Sequence, residues 1–160
     1  MHKTRIDIPE KTRRKIVGVL AQRLADAIDL SLQVKQAHWN VKGPRFISLH
    51  ELFDKIATEV NSHVDELAER ITTLGAVAEG TVAAVAARTS LKPYPLGIHS
   101  GTEHLEALAA ALAHYTRQLR EAIDSSDKLG DKVTADLYTG LAAQADKQLW
   151  FVEAHLQAKD

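Results

Sequence analysis

The sequence predicts an all-α protein, a four-helix bundle with one long crossover that carries a short helix. The first sign is compositional: 160 residues hold 45% apolar and 26% charged side chains, with only 8 Gly and 4 Pro. These are ordinary globular values, with too few chain breakers for a loop-rich β protein or a disordered chain. The second is periodicity, since apolar residues recur at helical spacing from Val17 to Ile28 and at 3- and 4-residue steps from Leu49 to Leu74. The third is punctuation, because Pro9, Gly43-Pro44 and Gly75 fall where such helices need ends. The length suits one domain, residues 9–160, behind a short, mobile, basic tail at residues 1–8.

The first helix, α1, is expected from Glu10 to about Asn40: Val17, Leu20, Leu24, Ala27 and Ile28 keep helical spacing and Pro9 stands just before the start. Gly43 and Pro44 end it. Ser48, with Glu51 three residues on, has the form of a capping box that opens α2, which runs to about Leu74 with Gly75 as its stop. Leu49, Phe53, Ile56, Val60, Val64, Leu67, Ile71 and Leu74 mark a bundle seam along α2. Thr81–Arg88 is a short helical stretch, α3, followed by the turn-rich Lys92-Pro93-Tyr94-Pro95. Ser100 and Glu103 repeat the capping pattern for α4, expected to end before Asp124–Gly130, and α5 fills most of Asp131 to Gln157. The α1–α2 and α4–α5 connections are short and join antiparallel neighbours, whereas Gly75 to Gly101 is too long for a hairpin. Two antiparallel pairs joined by one crossover is the ferritin-like arrangement.

The 20 basic and 21 acidic residues nearly cancel, so contact with a polyanion requires a local patch. Cysteine is absent, which removes disulfides, thiolate metal sites and cysteine nucleophiles. No apolar run approaches a membrane span, and Met1–Lys15 lacks a signal-peptide core, so the expected location is the cytoplasm.

No Glu is followed three residues later by His, which argues against the Glu-x-x-His di-iron centre inside the bundle. Helix α2 offers another arrangement. With His50 at zero and about 100° per residue, Asp54, Asp65 and Glu69 fall near 40°, 60° and 100°, on a face turned away from the apolar seam. Any one such pair is most simply a solvated helix face. The two pairs cannot share an ion within one chain, because the 11 residues from Asp54 to Asp65 rise about 16.5 Å. Two copies of α2 crossing antiparallel near Glu59–Val60 would bring His50 and Asp54 of one to Asp65 and Glu69 of the other, twice over. His38, near the end of α1, is within reach of His50 across the short loop. Two imidazoles and three carboxylates suit Fe(II), at most two ions per site, with Zn(II) or Mn(II) able to substitute.

The run Lys35-Gln36-Ala37-His38-Trp39-Asn40 with Gly43, Phe46, His50-Glu51, Asp54, Asp65 and Ala68-Glu69-Arg70 resembles the signature of the Dps family, the miniferritins named DNA-binding protein from starved cells. The likeness extends through Leu91-Lys92-Pro93-Tyr94-Pro95-Leu96 to Leu149-Trp150-Phe151. It implies a hollow dodecamer built on two-fold dimers that oxidises Fe(II), preferably with hydrogen peroxide, and stores the ferric mineral, limiting oxidative damage to cell and DNA. It further implies that His38, His50 and Asp54 come from one chain and Asp65 and Glu69 from its neighbour, with Lys35 and Trp39 beside the site.

Some members of that family bind DNA through basic tails, and the contacts expected here are Lys3, Arg5, Lys11, Arg13 and Arg14, with nucleoid association as the consequence. Asp127, Asp131 and Asp136 around the start of α5 are an expected iron entry, against the plainer reading that acids favour a helix N-terminus. The competing function is an architectural DNA-binding oligomer whose interface site is structural or holds zinc.

Overall fold

The computed structural model describes residues 1–158, and they form five helices: α1 (Glu10–Asn40), α2 (Phe46–Thr73), α3 (Val82–Arg88), α4 (Gly101–Lys128) and α5 (Lys132–Ala154). α1 packs chiefly on α2 and α4 on α5, while α3 lies on α1. The core includes residues that the α1 and α2 periodicities mark, among them Leu20, Leu24, Phe53, Ile56 and Leu67, and adds Leu30 and Val34 of α1, Leu108 and Tyr115 of α4, and Tyr138 and Val152 of α5. Among the described residues no helix is long and apolar enough to cross a membrane.

The two Ser-x-x-Glu patterns behave differently. Ser100 forms the full box, its hydroxyl accepting from the Glu103 amide at 3.3 Å while the Glu103 carboxylate accepts from the Ser100 amide at 3.0 Å. Ser48 does not cap, because α2 starts earlier. Gly43, at φ +113, turns the chain so that its carbonyl accepts from the Phe46 amide at 3.0 Å, which puts Ser48 inside the first turn. Its hydroxyl donates instead to the Arg45 carbonyl. α4 also runs past its expected end to Lys128, since Asp124–Asp127 continue the helix and Gly130, at φ +80, makes the turn. α5 stops at Ala154, three residues before Gln157.

Residues 1–8, expected to be a free tail, instead lie against the end of α2. The His2 amide donates to the Gly75 carbonyl at 2.6 Å, and Ile6 and Ile8 pack half-buried on the core. Gly75 permits this approach: it sits at φ +88, and a Cβ there would lie 2.7 Å from the His2 carbonyl oxygen.

Candidate metal centre

The loop between α1 and α2 brings two of the candidate ligands together. Val41 closes α1, its amide donating a hydrogen bond to the Ala37 carbonyl, Gly43 reverses the chain, and the second turn of α2 comes to lie beside the last turn of α1. His38 and His50 therefore face each other, stacked with ring centroids 3.7 Å apart and planes at 22°. Each Nδ1 reaches the other residue's backbone carbonyl, His38 to His50 at 2.7 Å and His50 to His38 at 2.8 Å. A carbonyl oxygen only accepts, so each Nδ1 carries the hydrogen, and in the neutral ring Nε2 keeps its lone pair. That is the tautomer a metal ligand needs, with the carbonyls as the outer partners that fix ring orientation. Phe46 lies tilted against the His50 ring at 5.1 Å.

Asp54, one helical turn beyond His50, is exposed, and its Oδ1 accepts from Lys35 Nζ at 2.7 Å. The Lys35 hydrogen bond and charge hold the Asp54 carboxyl below its ordinary pKa, with smaller help from His38 and His50. The lysine thus stands where a cation would, and its Nζ lies 5.7 Å from the centre of the Trp39 ring. Trp39 itself is 64% exposed.

Asp65 and Glu69 are exposed on the same face of the same unbroken helix, about 16.5 and about 22.5 Å along the axis from Asp54. Among the described residues, no three His, Asp or Glu side chains of one chain come together closely enough to hold an ion. The intrachain structure thus pairs His38 with His50, Asp54 with Lys35, and Lys35 with Trp39, and leaves Asp65 and Glu69 apart. His63, opposite this face, is fully buried and bonded through Nε2 to Gln144 Oε1 at 2.8 Å.

The three acids expected at an entry do not act alike. Asp127 and Asp136 are exposed, Asp127 pairing with Lys132 Nζ at 2.9 Å. Asp131 is 2% exposed and internally committed, which corrects its assignment to an entry. It caps α5 through the Thr134 amide at 3.1 Å and binds Arg70 Nη2 through both oxygens, at 3.0 and 3.1 Å. Burial alone would raise its pKa; the Thr134 and Arg70 bonds outweigh burial and hold it below the carboxylate range.

The basic stretch divides in the same way. Arg13 is buried, donating to the carbonyls of Ile8 and Leu74 at 3.1 and 2.7 Å, so it has no guanidinium to offer a phosphate. Arg14 is exposed but bonded to Glu10. Lys3, Arg5 and Lys11 are exposed.

The fold defines a ferritin-like protein, and the ferritin-like domain family matches residues 18–159. Within that class the chain belongs to the Dps family. It is 46% identical over 158 residues to the DNA protection during starvation protein of Agrobacterium fabrum, an alignment spanning 99% of this chain and 98% of that one. The tetragonal form of Mycobacterium smegmatis Dps superposes with a TM-score of 0.94 at 33% identity, covering 99% of this chain and 95% of that one. Dps from Microbacterium arborescens in its high iron form gives a TM-score of 0.88 at 30% identity, covering 95% and 98%.

Proposed function

We propose that the chain is a ferroxidase and iron store: it oxidises Fe(II), preferably with hydrogen peroxide, and keeps the ferric product inside a hollow homo-oligomer, a dodecamer built on two-fold dimers. The observation that carries this reading is the pair of stacked imidazoles, each locked by the other's carbonyl with Nε2 open, beside Asp54. Asp65 and Glu69 lie on the same exposed face, and an antiparallel copy of α2 would bring them to that half-site. Ile47 supports a covered face: it is 62% exposed and falls near 60° on the same helical wheel. Two Fe(II) ions held together supply the two electrons that reduce peroxide to the oxidation level of water, one from each, so no free hydroxyl radical is released. The names of the relatives, DNA protection during starvation protein and a Dps in high iron form, agree with this reading.

The decisive experiment adds Fe(II) anaerobically, then peroxide, and follows the growth of ferric absorbance. Fast growth in the wild type is expected, with slowing in His38→Ala and Asp65→Ala while the oligomer stays assembled. Wild-type rates in both variants would overturn the site assignment. A zinc-holding structural site would leave only the growth that Fe(II) and peroxide give without protein.

DNA retention belongs to the same proposal through Lys3, Arg5 and Lys11, repeated on every copy. A gel shift at low salt that fades steeply as salt rises, and is lost in a Lys3→Glu/Arg5→Glu variant, is the expected behaviour. Retention indifferent to both would assign DNA to another surface.

A further inference from the structure

Away from the metal face, a cleft of about 320 Å³ opens between residues 91–95 of the crossover and α4. Its floor is aliphatic, with Leu91 and Pro93 on one side and Ala107, Ala110 and Ala111 on the other. The three alanines are spaced to share one helix face, and their small side chains leave the space open. Tyr94 forms a wall, its hydroxyl engaged with His104 Nδ1 at 2.7 Å.

The polar lining is one-sided. Lys92, His114 and Arg117 border the cleft, and no Asp or Glu does. Among the described residues neither Lys92 nor Arg117 has a carboxylate within ion-pair distance.

His114 and Arg117 are held from below. Arg117 Nη2 donates to His114 Nδ1 at 3.3 Å, so His114 carries its hydrogen on Nε2 and donates to Ser90 Oγ at 2.9 Å. Ser90 Oγ donates in turn to Asp26 Oδ1 at 3.0 Å, and the Ser90 amide donates to the same oxygen at 2.7 Å. Asp26 is fully buried in α1. A hydrogen-bond chain rooted in the core thus sets the ring of His114 and, through it, Arg117. Gln33 Nε2 donates to the Lys92 carbonyl at 3.0 Å and steadies the opposite lip.

We propose that this cleft binds a medium-chain monocarboxylate, its hydrocarbon tail between the crossover and α4 and its carboxylate on Arg117 and Lys92. The volume equals about ten water volumes of about 30 Å³, room for an eight-carbon acid. A basic rim with no acid selects an anion, and a guanidinium suits the two oxygens of a carboxylate. The alanine floor offers no side-chain donor or acceptor, so it pairs with a hydrocarbon and has nothing with which to read a sugar or a base.

Octanoate titrated calorimetrically into the assembled protein tests this. Saturable binding of one octanoate per chain is expected, with octylamine failing to saturate. Arg117→Glu should weaken octanoate binding about tenfold or more. Ala110→Trp, at an exposed position, should fill the cleft and abolish binding. Both variants should keep the wild-type rate of Fe(II) oxidation, so the outcome is separate from that of the ferroxidase. Non-saturable heat, octylamine binding as well as octanoate, or equal affinity in wild type and Arg117→Glu would overturn the proposal. Displacement of bound octanoate by a duplex oligonucleotide would overturn it too, assigning the basic rim to phosphate.

Discussion

Replacing Asp131 by Ala separates a structural carboxylate from an iron-conducting one. Its side chain is 1% exposed and its partner, the Arg70 guanidinium, 14%. Losing the N-cap of α5 costs about 1 kcal/mol. Leaving Arg70 buried without its counter-charge costs about 3–5 kcal/mol. The same carboxylate makes both contacts, so the terms overlap and the expected loss is about 3–5 kcal/mol in total. Denaturant unfolding under dissociating conditions measures it, with the double variant Arg70→Met/Asp131→Ala completing the cycle. The double variant should recover part of the loss, because it leaves no orphaned charge. A loss below about 1 kcal/mol in Asp131→Ala, together with slowed iron uptake, would refute the structural reading and return Asp131 to the entry path.

Asp127→Asn and Asp136→Asn together should slow iron uptake while the peroxide reaction of iron already bound stays at the wild-type rate; unchanged uptake kinetics would leave these acids a local electrostatic role. Burial pushes His63 below its ordinary pKa, and burial does the same to His104. The unfolded chain therefore binds protons that the folded one refuses, so this part of the stability is present above about pH 6.5 and is lost on acidification. Each group contributes a slope of at most about 1.4 kcal/mol per pH unit, and His63→Gln should remove one such slope from unfolding curves collected between pH 5 and 7. Gly75→Ala should destabilise the protein by about 1–3 kcal/mol and expose residues 1–8 to proteolysis, since the new Cβ meets the His2 carbonyl at 2.7 Å in a left-handed backbone. An unchanged melting temperature and digestion pattern would mean that the segment is not held there.

What the sequence reveals depends on how far apart the interacting residues lie. The seam of α2 is a local period, and the residues it marks are buried apart from half-buried Val64. The same Ser-x-x-Glu pattern gives a cap at Ser100 and none at Ser48, because a cap needs a helix that begins there, and the turn at Gly43 starts α2 three residues too early. His38 and His50 are close for a legible reason, the short loop. Their exchanged carbonyl bonds are not legible, since these depend on the rotation of two helices about their axes. Asp131 and Arg13 mislead for a shared reason: their partners, Arg70 and the Leu74 carbonyl, are both 61 residues away in sequence, and charge alone reads as exposure. The contact of Lys35 with Asp54 is similarly long-range, across 19 residues, and places that lysine on the proposed ligand itself.

The claim at the centre is that each site takes His50 from one chain and Asp65 from its neighbour. Chains carrying His50→Ala and chains carrying Asp65→Ala should each oxidise Fe(II) poorly alone, yet rescue one another when co-assembled. In a mixed two-fold dimer both lesions fall in one site and the other keeps every ligand. Random pairing makes about half the dimers mixed, so about a quarter of all sites regain the full set. Peroxide-driven oxidation by the co-assembled mixture should exceed that of either parent by close to that fraction of wild-type activity, with the double variant His50→Ala/Asp65→Ala inactive. A mixture no more active than the average of its parents would contradict the shared site.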